Sequence, residues 1–238
     1  MTASPPNVVL ITGSAGGLGS ALVSAFSRGG WRVAAGWHHR TPDAAPSDVL
    51  RVPLDVTQAA QAESSVATIL ERWGRLDLLI NNAGLARDHV LPRMMEPDWQ
   101  QVLDVNLKGA FLCSRAVLPA MIRQRGGHIL NLASFSGRVG RFGAANYAAA
   151  KAGLMGLTQS LAREVGPHNI RVNAISPGYL PTDLLGPVTA ADLGRHAADN
   201  ALGRINTVDE VARFTVFLAG MQNPSGQLFQ LDSRIAAV

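Results

Sequence analysis

A four-residue apolar run, Val8-Val-Leu-Ile11, breaks directly into Thr12-Gly-Ser-Ala-Gly-Gly-Leu-Gly19. Beyond the glycines, Leu18, Leu22, Ala25 and Phe26 recur at helical spacing until Gly29-Gly30 stops the pattern. Few folds accommodate a buried strand that turns through glycines straight into a helix. Gly13, Gly17 and Gly19 allow a tight turn and close approach of main chain to a pyrophosphate. The start of the helix then offers free N–H groups and partial positive charge.

The same alternation continues down the chain. Further strand candidates are Val33–Gly36, Val49–Val52, Leu76–Ile80, His128–Leu132, Ile170–Ile175 and Gln227–Leu231. Helical patterns fill about 58–73, 97–125, 145–166 and 207–220. Strands and helices alternating at this spacing predict an α/β chain with a parallel sheet. Seven strands fit a single doubly wound (Rossmann) domain, 8–238, with helices on both faces. Residues 1–7 read as a flexible polar tail with two prolines. The irregular span 181–204 follows a strand end, where ligands sit in such sheets, and is a candidate substrate lid.

Composition excludes several functions. The net charge is +4, but the basic residues are scattered, so no nucleic-acid surface is expected. Cys113 is the only cysteine and lies in an apolar stretch, which points to buried filler in a reducing, cytoplasmic setting. No signal pattern stands at the start, and no unbroken apolar run approaches the ~18 residues of a membrane span. No metal site is expected.

The chemistry concentrates in Asn146-Tyr-Ala-Ala-Ala-Lys151 and in Ser134, thirteen residues before the tyrosine. On a helix, residues four apart share a face, so the phenol of Tyr147 and the ammonium of Lys151 are neighbours. A positive charge favours the phenolate and lowers the tyrosine pKa. Such a phenol can pass a proton to or from a carbonyl or alcohol oxygen. Ser134 supplies a second hydrogen-bond donor to that oxygen.

The second strand ends in Trp37-His-His-Arg40, and the first acid beyond it is Asp43. A carboxylate that would hold the ribose 2′-hydroxyl of NAD is therefore missing. Arg40 can clamp a 2′-phosphate instead, which favours NADPH over NADH. Asp55, at the end of the third strand, can accept from an adenine amino group. The small residues of Asn81-Asn-Ala-Gly84 let backbone lie against a cofactor.

Together these motifs resemble the short-chain dehydrogenase/reductase family along essentially the whole chain. The set is TGxxxGxG at 12–19, Asp55, NNAG at 81–84, Asn106, Ser134, YxxxK at 147–151, and Pro177-Gly178 followed by Thr182. The resemblance implies that Tyr147 is the general acid/base and that Ser134 orients the substrate carbonyl. Lys151 would bind the nicotinamide ribose and lower the tyrosine pKa, and Asn106 would hold a water in a proton relay. It extends the cofactor site to Gly13, Ser14, Gly17, Leu18, Gly19, Arg40, Asp55, Val56, Asn82, Ala83, Gly84, Tyr147, Lys151, Pro177, Gly178, Leu180 and Thr182.

Within the family the chain is most similar to reductases of 3-oxoacyl thioesters carried on acyl-carrier protein or CoA. NADPH-dependent carbonyl reduction is the expected reaction. An NAD-dependent alcohol or polyol dehydrogenase and a non-catalytic dinucleotide sensor are the rivals. Phe135, Val139, Phe142, Tyr179 and Leu184 are the candidate pocket, mostly apolar and suited to an acyl chain. Arg123, Arg125, His128 and His168 fall where such reductases dock an acidic carrier. Two departures stand out: Gly16 replaces an arginine of the glycine loop, and Leu231-Asp-Ser-Arg234 replaces the usual Val-Asp-Gly-Gly. Apolar Leu103, Leu107, Phe111, Ala116 and Leu118 cover more than one helix face, and together with the resemblance they predict a homo-oligomer, most simply a tetramer.

Overall fold

The computed structural model describes residues 6–41, 48–182 and 189–235. Seven parallel strands form one sheet in the order β3-β2-β1-β4-β5-β6-β7. They are β1 (Val8–Ile11), β2 (Arg32–Trp37), β3 (Leu50–Pro53), β4 (Leu78–Asn81), β5 (Gly127–Leu132), β6 (Ile170–Ser176) and β7 (Leu228–Gln230). All six pairings are parallel, with Ile11 opposite Ala35 on one side and Ile80 on the other. The order reverses between β1 and β4, and the loops leaving these two strands diverge to opposite sides and open a crevice.

The period-two geometry of the strands sorts their apolar residues into two cores. Val8, Leu10, Leu79, Ile129 and Val172 face one, with α2 (Ala59–Trp73), α4 (Gly109–Gln124) and α6 (Ala145–Val165). Val9, Ile11, Ile80, Leu130 and Ile175 face the other, with α1 (Gly17–Arg28) and α8 (Val208–Gly220). Each of these nearly inaccessible side chains contributes roughly 1.5–3 kcal/mol by leaving water. Cys113 belongs to the first core, and burial pushes its thiol up to about 12, so it is inert filler.

Three readings change. Asn7 is not free tail, because its carbonyl accepts from the Arg32 amide at 2.9 Å. The helix expected at 97–125 is three joined pieces: α3 (Glu96–Leu103), a π-helical turn (Asp104–Lys108) and α4. By length and composition alone Glu96–Gln124 could cross a membrane, with a mean hydropathy of 1.2 over its most apolar window, but half of that window is buried within the fold. The candidate lid contains α7 (Ala190–Ala198), which starts with a reciprocal cap between Thr189 and Asp192. A short helix, α5 (Ser136–Val139), follows β5. Asp43 and Leu184 lie outside the described residues.

Candidate active site

A cleft of about 950 Å³ runs along the carboxyl edge of the sheet and takes its lining from the loops after β1 to β6. At its centre Gly13 adopts a φ of +63°, and a Cβ there would lie 2.8 Å from the Ala83 Cα. A Cβ on Gly19 would sit 2.3 Å from the Gly13 carbonyl oxygen, so only glycine permits this turn. The residue before α1, Gly16, has no capping side chain, and the first amides of the helix are left for an anion. Thr12 and Asn82 stitch the glycine loop to the turn after β4. The Thr12 hydroxyl accepts from the Asn82 and Ala83 amides, while Asn82 Nδ2 donates to the Thr12 and Gly13 carbonyls at 2.9 and 3.0 Å.

Gly13, Gly17, Leu18, Gly19, Arg40, Asp55, Val56, Asn82, Ala83, Gly84, Pro177, Gly178, Leu180 and Thr182 all line this cleft. Ser14 does not. It is fully buried, and its hydroxyl donates to the Gly36 carbonyl at 2.9 Å, so it ties the loop to β2 instead. Arg40 turns back over the glycine loop, with Nη2 donating to the Ala15 carbonyl at 2.5 Å. His38 and His39 lie beside it with ring centroids 3.7 Å apart and their planes tilted by 33°. Asp55 Oδ1 accepts from the Thr57 amide and hydroxyl, and Oδ2 faces His38 at 3.6 Å. Burial opposes ionisation of Asp55, but the Thr57 bonds and the two histidines outweigh it and lower its pKa.

Ser134, Tyr147 and Lys151 meet at the other end of the cleft. The Ser134 hydroxyl accepts from the Ser136 amide at 3.2 Å. Lys151 is almost fully buried; its Nζ donates to the Leu132 carbonyl at 2.7 Å and lies 5.5 Å from the Tyr147 ring centre. Burial lowers its pKa to about 8. The expected depression of the tyrosine is not found. Burial raises the Tyr147 phenol above its ordinary value, although the Ser134 hydroxyl and the Arg141 charge pull the other way.

Asn106 does not line the cleft but stands directly behind it, in the π-helical turn. Its Nδ2 donates to the Leu85 and Val102 carbonyls, and its buried Oδ1 has no partner among the described residues. That oxygen lies 2.8 Å from where a Gly84 Cβ would be. Asn81, Asn131 and Thr158 form a buried chain of hydrogen bonds between β4, β5 and α6 that the sequence reading missed. It fixes the helix that carries Tyr147 and Lys151.

The apolar substrate pocket is corrected. Val139 and Phe142 are exposed, at 51% and 92%, and neither lines the cleft; Phe135 is covered by another side chain. Tyr179 does line it and stacks on His196 at 3.7 Å. Arg87, Arg141, His196 and Arg234, none of them expected, complete this end. His196 and Arg234 had no local signal of a site, because they reach it from the candidate lid and the chain end. One carrier-docking candidate is also corrected. His128 is buried in β5 against Asn173, where burial first and Arg171 second lower its pKa to about 3. Arg123, Arg125 and His168 stand before β5 and β6, at the edge of the sheet opposite the cleft.

The short chain dehydrogenase family model matches residues 7–193, the span that carries the glycine loop, Ser134, Tyr147 and Lys151. The chain belongs to the short-chain dehydrogenase family. Among curated relatives, a 3-oxoacyl-[acyl-carrier-protein] reductase of Thermotoga maritima is 38% identical over 235 residues, covering 94% of this chain and 96% of its own. A 3-oxoacyl-[acyl-carrier-protein] reductase of Synechocystis is 35% identical, with 98% of each chain covered. That of Escherichia coli is 36% identical over 89% of each. This short-chain dehydrogenase therefore matches its relatives along nearly their full length, and its cleft is that of an oxidoreductase taking a nicotinamide dinucleotide.

Proposed function

We propose that the protein reduces a carbonyl to a secondary alcohol with NADPH, and that its substrate is a 3-oxoacyl thioester on acyl-carrier protein or CoA. The observation that carries the reading is the convergence of Ser134, Tyr147 and Lys151 on a cleft that also holds an uncapped helix start within a glycine cradle. The substrate class comes from the names of the relatives. The reading includes a cytoplasmic homo-oligomer formed from one domain, with 181–204 closing over the substrate.

The residues fit the dinucleotide. The first amides of α1 and the glycine loop suit its pyrophosphate, Asp55 and Val56 its adenine, Arg40 a 2′-phosphate, and Lys151 with the 177–182 segment its nicotinamide end. When bound, the cofactor supplies a hydride to the carbonyl carbon. The chain's own residues handle the oxygen. Ser134 donates a hydrogen bond to it and holds it in place. Tyr147 then gives it a proton, and burial keeps the phenol protonated, the form that reduction requires. Lys151 would hold the nicotinamide ribose beside the phenol, and Asn106, whose buried Oδ1 has no partner among the described residues, would hold a water in a proton relay. A panel of 3-oxoacyl thioesters and simple ketones, each with NADPH and NADH, tests the reading. Turnover of thioesters with NADPH is expected, and oxidation of simple alcohols with NAD as the only activity would replace it.

A further inference from the structure

Arg234 occupies an unusual place. Its guanidinium lies 4.2 Å above the ring of Phe135, the residue next to Ser134, and it lines the cleft where Phe135 was expected to. Its side chain is only 16% exposed. Nε donates to Asp232 Oδ2 at 2.5 Å, and Asp232 is itself held, accepting from Gln230 Nε2 at 2.8 Å and packing against Gly178. The Phe135 ring beneath it and the Nε bond to Asp232 hold the guanidinium in place. Among the described residues nothing bonds its two Nη nitrogens, and that pair is the fork that matches two oxygens of one anion.

Three acidic side chains around it are already engaged. Asp88, Asp192 and Asp232 each already have an arginine partner, in Arg141, Arg195 and Arg234. Arg87 adds a further cation at the cleft, with its Nη1 donating to the Ala86 carbonyl. His196, stacked on Tyr179, is held below its ordinary pKa by burial first, with Asp199 opposing and Arg234, Arg141 and Arg195 adding to the shift. An acyl chain gains nothing from the guanidinium fork itself. A carboxylate or phosphate does.

We propose that Arg234 selects carbonyl substrates bearing an anionic group, which its Nη fork binds beside the Ser134–Tyr147 end of the cleft. This rests on the reductase reading above. Two sources carry the same chemistry: the carboxylate of a free oxo acid, or a phosphate on the carrier arm of a thioester.

Two substrate pairs tell them apart, assayed with NADPH in the full-length protein. One is a free 3-oxo acid against its methyl ester. The other is acetoacetyl-CoA against the uncharged N-acetylcysteamine thioester of the same acyl group. The charged member of one pair is expected to have a KM lower by about tenfold or more, as for a charge-assisted contact, with kcat little changed. That advantage shrinks as salt is raised. In Arg234→Ala the charged member loses about tenfold more in kcat/KM than the neutral one, and Arg234→Lys recovers part of the difference. NADPH affinity, read by fluorescence titration, moves in neither variant. The proposal is overturned if wild type treats both members of both pairs alike, or if Arg234→Ala weakens charged and neutral members equally. The wild-type comparison and its salt dependence decide the matter even if the alanine variant folds poorly. No reduction of any carbonyl in either pair overturns the reductase reading itself, and this proposal with it.

Discussion

Tyr147 is pulled in two directions, upward by burial and downward by the Ser134 hydroxyl and the Arg141 charge. Removing only its oxygen isolates the proton transfer. Tyr147→Phe is expected to lower kcat by ~10²–10⁴-fold while leaving NADPH binding nearly intact; turnover close to wild type at neutral pH takes the phenol out of the mechanism. Arg40 sits where a 2′-phosphate contact would be worth roughly 1.5–3 kcal/mol. Arg40→Ala should therefore weaken NADPH by about tenfold or more and NADH far less, which titration of each dinucleotide measures. His128 makes a separate pH prediction. Its folded pKa of about 3 lies below its ordinary value of 6.5. Folding therefore excludes a proton that the unfolded chain takes up as the pH falls. The contribution is fully present above about 6.5 and is lost progressively toward about 3, at up to about 1.4 kcal/mol per pH unit. Urea midpoints at neutral and acid pH should fall less steeply in His128→Gln than in wild type, and equal slopes remove His128 as the cause.

At the scale of elements, the π-helical turn at Asp104–Lys108 is the feature that sequence periodicity could not show. A one-residue widening leaves the spacing of apolar residues nearly unchanged over a window of this length, so 97–125 reads as one helix. The widened turn places Asn106 behind Gly84, with its Oδ1 unpaired among the described residues. Wide turns of this kind recur at functional sites. The loop after β4 has no room to retreat, because Asn82 and Ala83 are bonded to Thr12. Gly84→Ala would bring a methyl to 2.8 Å from that oxygen. It should cost about 1–3 kcal/mol, as overpacking does, and reduce activity at the same time. Thermal unfolding and kcat measured on the same variant check both effects; an active variant of unchanged stability shows that the loop can shift.

At the scale of the whole molecule, apolar surface is left over on two helices. Leu107 packs on Gly153 of α6, and Leu103, Ala116 and Leu118 are half-buried, so the chain's own fold absorbs much of the two-sided apolar pattern. Phe111 and Ile122 on α4 remain exposed at 43% and 36%, and Phe217 on α8 at 62%. Exposed aromatic and aliphatic residues on two separate helices suit two different contacts between copies. A dimer or tetramer at micromolar concentration is the expected result of sedimentation. Phe111→Glu should shift it toward smaller species; a monomeric wild type removes the expectation.

The strand-helix alternation, the glycine turn and the Tyr147–Lys151 spacing are all local patterns. A few neighbouring residues create each of them, so they could be read along the chain, and the parallel sheet followed. Arg141, His196 and Arg234 could not be read in that way. They come from the loop before α6, the candidate lid and the chain end, and share a cleft because the sheet brings its strand ends together. Burial misled the reading for the same reason. His128 looked like a surface cation, Ser14 like a ligand contact, and Phe142 like a pocket wall. Whether a side chain faces water, core or cleft depends on what packs against it from distant parts of the chain, and that is set when the layers close.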